Sequence, residues 1–233
     1  MSSKPLINEV DHEKEAAAKA SLRYVKDGEV VGLGTGSTAA FMVRALAEKV
    51  RAGLKIVGIP TSRRTGELAT SLGIAITTLD EYQDINVTID GADEFDSQLR
   101  LIKGGGGALL REKIVASASR KLVIIADSSK QAQKLGRFPL PVEVIPFAEK
   151  LVAKKIGAMG AQVKLREYAY GNPFVTDEGH HILDCNFGEI DDPEKLGAAL
   201  SFMPGIVEHG LFLNLASVVV VGKGDGAVEL TRQ

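Results

Sequence analysis

Short apolar runs alternate along this chain with segments of helical spacing, and that alternation constrains the fold more than any other feature. Residues 29–33, 54–59, 74–79, 85–90 and 122–127 read as buried strands. Between them, residues 11–25, 41–50, 65–71 and 108–119 read as helices, the first stopped by Asp27-Gly28 and the second by Gly53. Strands that alternate with helices call for a parallel sheet covered on both faces. The expected fold class is α/β, a doubly wound, mostly parallel Rossmann-like sheet.

The order changes at Arg137-Phe138-Pro139-Leu140-Pro141, where two prolines predict an extended or turning link. Beyond it come a strand (142–145), a helix (147–159) and a strand (162–167). A hairpin turning at Asp177-Glu178-Gly179 follows, then a strand (181–184), a helix (193–201) and a strand (206–209). This βαββαβ order is ferredoxin-like. The valines at 218–221 can add one last strand to the first sheet. The expected organisation is an α/β domain from 1–137 and 211–233, with an inserted ferredoxin-like α+β lid over 138–210. A chain of 233 residues is long enough for both.

Composition excludes several classes of function. With 28 Lys and Arg against 30 Asp and Glu, the formal charge of −2 gives no general attraction for nucleic acid or an anionic membrane. Any anionic ligand must be held by local groups. Cys185 is the single cysteine, so no intramolecular disulfide can form and a reducing compartment is expected. The start of the chain lacks the apolar core of a secretory leader. No apolar run approaches the roughly 18–20 residues of a membrane helix. A cytoplasmic location is expected.

Charge concentrates between two of the apolar runs. Residues 90–94 read Asp-Gly-Ala-Asp-Glu, 103–107 Lys-Gly-Gly-Gly-Gly, and 111–113 Arg-Glu-Lys. Charged groups stay in water unless compensated. Here they should gather at strand ends, where open parallel sheets bind ligands. Asp90-Gly91 could be an ordinary turn, but an apolar strand that delivers Asp90 to its carboxyl end, with Asp93 three residues on, favours function. Four glycines in a row are entropically unfavourable without some gain. Flanked by Leu101-Ile102 and Ala108-Leu109-Leu110, they suggest a buried loop pressed against a ligand, with Lys103 as its cation. Glu112 falls in the first turns of the next helix, where a solvated macrodipole charge is the plain alternative.

Gly34-Thr35-Gly36-Ser37-Thr38 lies between a strand and a helix. Free backbone N–H groups and hydroxyls there make a phosphate cradle, although a tight turn capped by Ser37 or Thr38 reads equally well. It is not a P-loop, which needs a lysine. Gly34-x-Gly36-x-x-Ala39 approaches a dinucleotide fingerprint, but the second strand ends at Pro60-Thr61-Ser62 with no acid for a ribose, so a nicotinamide cofactor is not expected. Carboxylates could hold a hard cation, yet His12, His180, His181 and His209 are all remote from residues 90–94. No metal site is expected. Alternation sends His180 and His181 to opposite faces, one to the surface and one to the core. Cys185 reads as a buried small hydrophobe.

Taken in order, Gly34–Thr38, Asp90–Glu94, Lys103–Gly106, Arg111–Lys113, Asp127-Ser-Ser-Lys130-Gln and Phe138-Pro-Leu-Pro-Val-Glu-Val144 resemble ribose-5-phosphate isomerases of the A type, and the resemblance runs nearly end to end. It implies interconversion of D-ribose 5-phosphate and D-ribulose 5-phosphate through an enediol(ate), in the non-oxidative pentose phosphate pathway, with no cofactor and no metal. It implies Glu112 as proton acceptor, with Asp90, Asp93 and Lys103 as the other catalytic groups. The implied substrate contacts are Thr35, Gly36, Ser37, Thr38, Asp90, Gly91, Ala92, Asp93, Lys103, Gly104, Gly105, Gly106 and Lys130. A homo-oligomer is also implied, a homodimer or possibly a tetramer. A sugar-phosphate deaminase or lactonase, or a non-catalytic sugar-phosphate sensor, are the alternatives, since fold does not fix function. A sensor that regulates transcription would carry a helix-turn-helix, for which no segment is expected here.

Overall fold

The computed structural model describes residues 9–232, so the first eight, part of the segment read for a leader, lie outside the described residues. The order is α1 (Glu9–Ser21), β1 (Glu29–Leu33), α2 (Ser37–Arg51), β2 (Ile56–Pro60), α3 (Arg63–Ser71), β3 (Val87–Gly91), β4 (Glu94–Phe95), β5 (Leu101–Ile102), α4 (Leu109–Ser117) and β6 (Leu122–Asp127). There follow β7 (Leu140–Val144), α5 (Glu149–Ala158), β8 (Gln162–Leu165), β9 (His181–Asn186), α6 (Pro193–Ser201), β10 (Ile206–His209), β11 (Leu211–Phe212), β12 (Ala216–Lys223) and β13 (Gly226–Leu230).

The large sheet has the order β13-β12-β6-β3-β1-β2. All its pairings are parallel except that of β13 with β12. From β1 the chain passes outward to β2, then returns to β1's other side for β3. The order therefore reverses between β1 and β3, and a crevice opens beyond their carboxyl ends. The loops that leave those two strands are Gly34–Thr38 and the Asp90–Asp93 segment.

Strand alternation divides the core. Val31, Leu33, Ile89, Val123 and Ile125 face α1 and α2 in one cluster. Ile124 and Ala126 face Phe95, Leu101 and Phe212 in another. The second face is thus covered by α4 together with a three-stranded sheet, β11-β5-β4, rather than by helices alone. Strands of two residues have no readable periodicity, which is why they are invisible in the sequence.

The four-stranded sheet has the order β10-β7-β9-β8, antiparallel throughout. In its own chain order that is 4-1-3-2, the ferredoxin-like arrangement, with α5 and α6 supplying Val152, Ile156 and Leu200 to its core. Cys185 is buried there as expected.

Some expectations need correction. Residues 74–79 do not form a strand; they touch β2 through one bridge, Gly58 to Ile76. They lie beyond an edge strand, where only Ile74 is buried. The tail adds two strands to the large sheet, not one: a turn at Gly224 folds the exposed β13 back onto β12. The prolines at 139–141 do not all lie in a link, since β7 begins at Leu140. His180 and His181 are both half-buried, His180 on Glu143 (3.0 Å) and His181 on Glu149 (2.6 Å), because each faces a carboxylate on a neighbouring element. Among the described residues, no helix is long and apolar enough to cross a membrane.

Candidate active site

β3 delivers Asp90 to the crevice, where its carboxylate is held on every side. Oδ1 accepts the backbone N–H of Thr35 (3.0 Å) and of Gly91 (2.7 Å). Oδ2 lies 3.0 Å from Lys103 Nζ. The β1 loop can approach this closely only because Gly34 has no side chain: a Cβ there would lie 2.2 Å from Asp90 Oδ1 and 2.5 Å from Asp90 Cα.

Lys103 follows β5 and is the hub of the site. Its Nζ donates to Gly91 O (2.6 Å) and stands 3.3 Å from Glu112 Oε1 as well as 3.0 Å from Asp90. Glu112 enters from the first turn of α4. All three side chains are 5% exposed or less, so each charge depends on its neighbours rather than on water. Burial pulls the Lys103 ammonium down, but Asp90 and Glu112 outweigh it and raise it to about 12. Burial pushes Asp90 up, against Lys103 and its backbone donors. Burial pushes Glu112 up to about 8, with Lys103 opposing and the charges of Asp90 and Asp93 assisting. The second oxygen of Glu112, Oε2, is buried and has no hydrogen-bond partner. A buried unpaired carboxylate oxygen beside a cleft is available to a ligand.

The cleft is lined by Thr35 to Thr38, Gly91 to Asp93, Lys103, Gly104, Gly106, Glu112 and Lys130. Twelve of the fourteen sequence-predicted residues thus come together. Asp90 instead lies behind the wall, against Lys103 and Thr35. Gly105 turns towards a second groove, lined also by Arg166 and Asp184. The glycine run is only half buried: Gly104 and Gly107 are covered, while Gly105 and Gly106 are exposed. Its shape is set from both sides, since Asp93 Oδ2 accepts Gly105 N–H (2.7 Å) and Arg166 donates to Gly104 O (2.7 Å).

The opposite end of the cleft is electropositive. α2 begins at Gly36 with no side-chain cap on its first turn, so free N–H groups face the opening. Lys130 stands nearby with no carboxylate partner among the described residues. Thr35 contributes little hydroxyl to this end: its Oγ1 bonds to Thr61 (2.7 Å) and Ser62 (2.8 Å), with Thr65 at 3.2 Å. That hydroxyl cluster escaped the sequence reading, in which residues 60–62 counted only for lacking an acid. Arg166, directly after β8, gave no sequence signal at all. Among the described residues no three His, Cys, Asp or Glu side chains are placed to hold a metal ion.

Residues 57–226 match the family model of ribose 5-phosphate isomerase A (phosphoriboisomerase A). The chain belongs to this family. The match spans Asp90, Lys103, Glu112 and Lys130. Ribose-5-phosphate isomerase A of Parvibaculum lavamentivorans is 55% identical over 93% of this chain and 96% of its own. Among solved structures, ribose 5-phosphate isomerase A from Methanocaldococcus jannaschii superposes with a TM-score of 0.90 at 42% identity, over 94% of this chain and 98% of that one. A D-ribose-5-phosphate isomerase in complex with phospho-erythronic acid gives 0.93 at 39% identity, over 97% and 100%. Ribose-5-phosphate isomerase A relatives thus share both the sequence and the overall architecture.

Proposed function

We propose that this protein is an aldose–ketose isomerase that interconverts D-ribose 5-phosphate and D-ribulose 5-phosphate through an enediol(ate), in the non-oxidative pentose phosphate pathway. The observation that carries the reading is Glu112: a buried carboxylate that lines the cleft beside a lysine ammonium, with one oxygen left without a hydrogen-bond partner. A relative solved with phospho-erythronic acid supports a phosphorylated sugar as the ligand class. No feature of the site favours the deaminase, lactonase or sensor alternatives.

In this reading the open-chain aldose lies with its phosphate at the α2 N-terminus and Lys130, and with C1 and C2 at Glu112. Ionised Glu112 removes the C2 proton, and the electron pair shifts to leave an enediolate across C1 and C2. The same carboxyl returns the proton to C1 while the C2 hydroxyl proton moves to the C1 oxygen, leaving a ketone at C2. Burial brings the base towards working pH, the pattern the glutamate of triosephosphate isomerase illustrates. Lys103 stabilises the developing oxyanion, a contribution of several kcal/mol in sites of this kind. Asp93, on the cleft wall, orients hydroxyls and assists ring opening. Asp90 acts through Lys103 and the Thr35 backbone. The glycines let Gly104 to Gly106 approach the sugar.

Incubation with ribose 5-phosphate, with and without EDTA, should give ketose equally in both. No ketose would overturn the isomerase reading, and loss only with EDTA would show a metal to be needed.

The same proposal includes a homo-oligomer, a dimer or tetramer. Phe147 (100% exposed), just before α5, and Phe202 (89%), at the end of α6, are large apolar side chains of the kind a second copy covers. A single buried cysteine fits a reducing, cytoplasmic setting.

A further inference from the structure

We propose that Phe212 is a positioning residue for Lys103, holding the ammonium through the face of its ring. This rests on the reading of Lys103 as the site's electrostatic group. Phe212 is fully buried and does not line the cleft. Its ring centroid lies 5.3 Å from Lys103 Nζ and 4.9 Å from Lys113 Nζ. One ring is therefore shared by the fully buried Lys103 ammonium and the largely buried Lys113 ammonium, both within the distance at which an aromatic quadrupole attracts a cation.

The backbone makes this placement specific. β11 pairs with β5, Leu211 to Ile102 and Phe212 to Leu101, and Lys103 N–H donates to Gly210 O (2.9 Å). Gly210 has no room for a side chain, since its Cβ would lie 2.3 Å from Lys103 O. The ring and the lysine are thus carried on strands locked in register. Gly91 O, Asp90 and Glu112 match the three N–H bonds of Lys103, and the ring is the fourth neighbour of its charge. Lys113, next to Glu112 on α4, is fixed to the far side by Glu208 Oε1 and His209 O, both at 2.6 Å. The return segment from β10 to β11 therefore contacts both lysines. An aliphatic side chain at 212 would fill the volume and leave both charges facing carbon.

The test replaces Phe212 by 4-fluoro-, 3,5-difluoro- and 3,4,5-trifluorophenylalanine, which withdraw charge from the ring face with little change in size. Turnover of ribose 5-phosphate should fall by about two- to threefold per fluorine, with KM unchanged within about twofold because the ring does not touch the cleft. Melting temperatures should fall by no more than a few degrees across the series. The slope should persist in a Lys113→Met background. A flat series, or a slope that vanishes with Lys113→Met, would overturn the proposal. Lys103→Ala separates the two ideas. If it abolishes turnover while the fluorine series stays flat, only the role of Phe212 falls. If it leaves kcat/KM unchanged, the reading of Lys103 itself falls.

Discussion

Glu112 carries opposite demands within one side chain. Its burial favours the neutral acid, while the proposed chemistry needs the anion, and Lys103 at 3.3 Å is what keeps the anion accessible. Glu112→Gln keeps the shape and removes the base, so kcat should drop by about 10²–10⁴-fold with KM nearly unchanged. A variant with near wild-type kcat would eliminate the base assignment. The wild-type kcat/KM should rise with pH through a limb near about 8, where the carboxyl ionises. Stability runs the other way. An acid whose folded pKa is raised from 4.5 to about 8 binds more protons in the native state across that window, so its contribution is present at low pH and is lost as pH rises through about 8. The melting temperature of Glu112→Gln relative to wild type should therefore climb as pH increases across that range. A pH-independent difference would contradict the raised pKa.

At the scale of elements, the glycine loop between β5 and α4 is held by residues far from it in sequence. Arg166 clamps Gly104 O and is itself paired with Asp184 on β9. Arg166→Met should free this loop and raise KM several-fold while kcat and melting temperature change little. Equal loss in kcat and KM would point to a wider disruption. Gly107 shows the opposite sensitivity: it has φ +79°, and a Cβ there would lie 2.3 Å from Phe174 Cζ. Gly107→Ala should destabilise the protein by about 1–3 kcal/mol, as strain and overpacking do, measured by denaturant unfolding. An effect below about 0.5 kcal/mol would show that Phe174 moves aside freely.

Across the whole molecule, the four-stranded sheet and its loops meet the large sheet's helices through charge. Asp177 accepts the Arg63 N–H (2.8 Å) at the start of α3, Glu178 pairs with Arg111 on α4, and Glu208 pairs with Lys113. The more exposed of these, Glu178 with Arg111, is the kind of ion pair worth about 0–1 kcal/mol and screened by salt. Hydrogen exchange in about 1 M NaCl should therefore accelerate at the 174–180 hairpin and leave β3 and β6 protected. Uniform acceleration throughout the chain would show that this seam is no weaker than the cores it joins. Arg111 and Lys113 flank Glu112, so the helix that carries the proposed base is also the one these contacts grip.

The alternation of apolar runs and helices determined the parallel sheet, because buried strands and amphipathic helices write their period directly into neighbouring residues. The βαββαβ order of residues 140–209 was legible for the same reason, and so were the residues of the cleft, since each sits in or beside a short charged or glycine-rich segment, several of them at the end of a readable strand. What the sequence could not reveal depends on contacts between segments that are remote along the chain. The two-residue strands β4, β5 and β11 are too short for any period. The hydroxyls of Thr61, Ser62 and Thr65 become a cluster only when β2 lies beside β1. The switch point between β1 and β3 exists only in the order of the sheet. Even the charge of Glu112 is a tertiary property: burial raises its pKa, and Lys103 stands against it only because β5 pairs with β11 and α4 packs behind them.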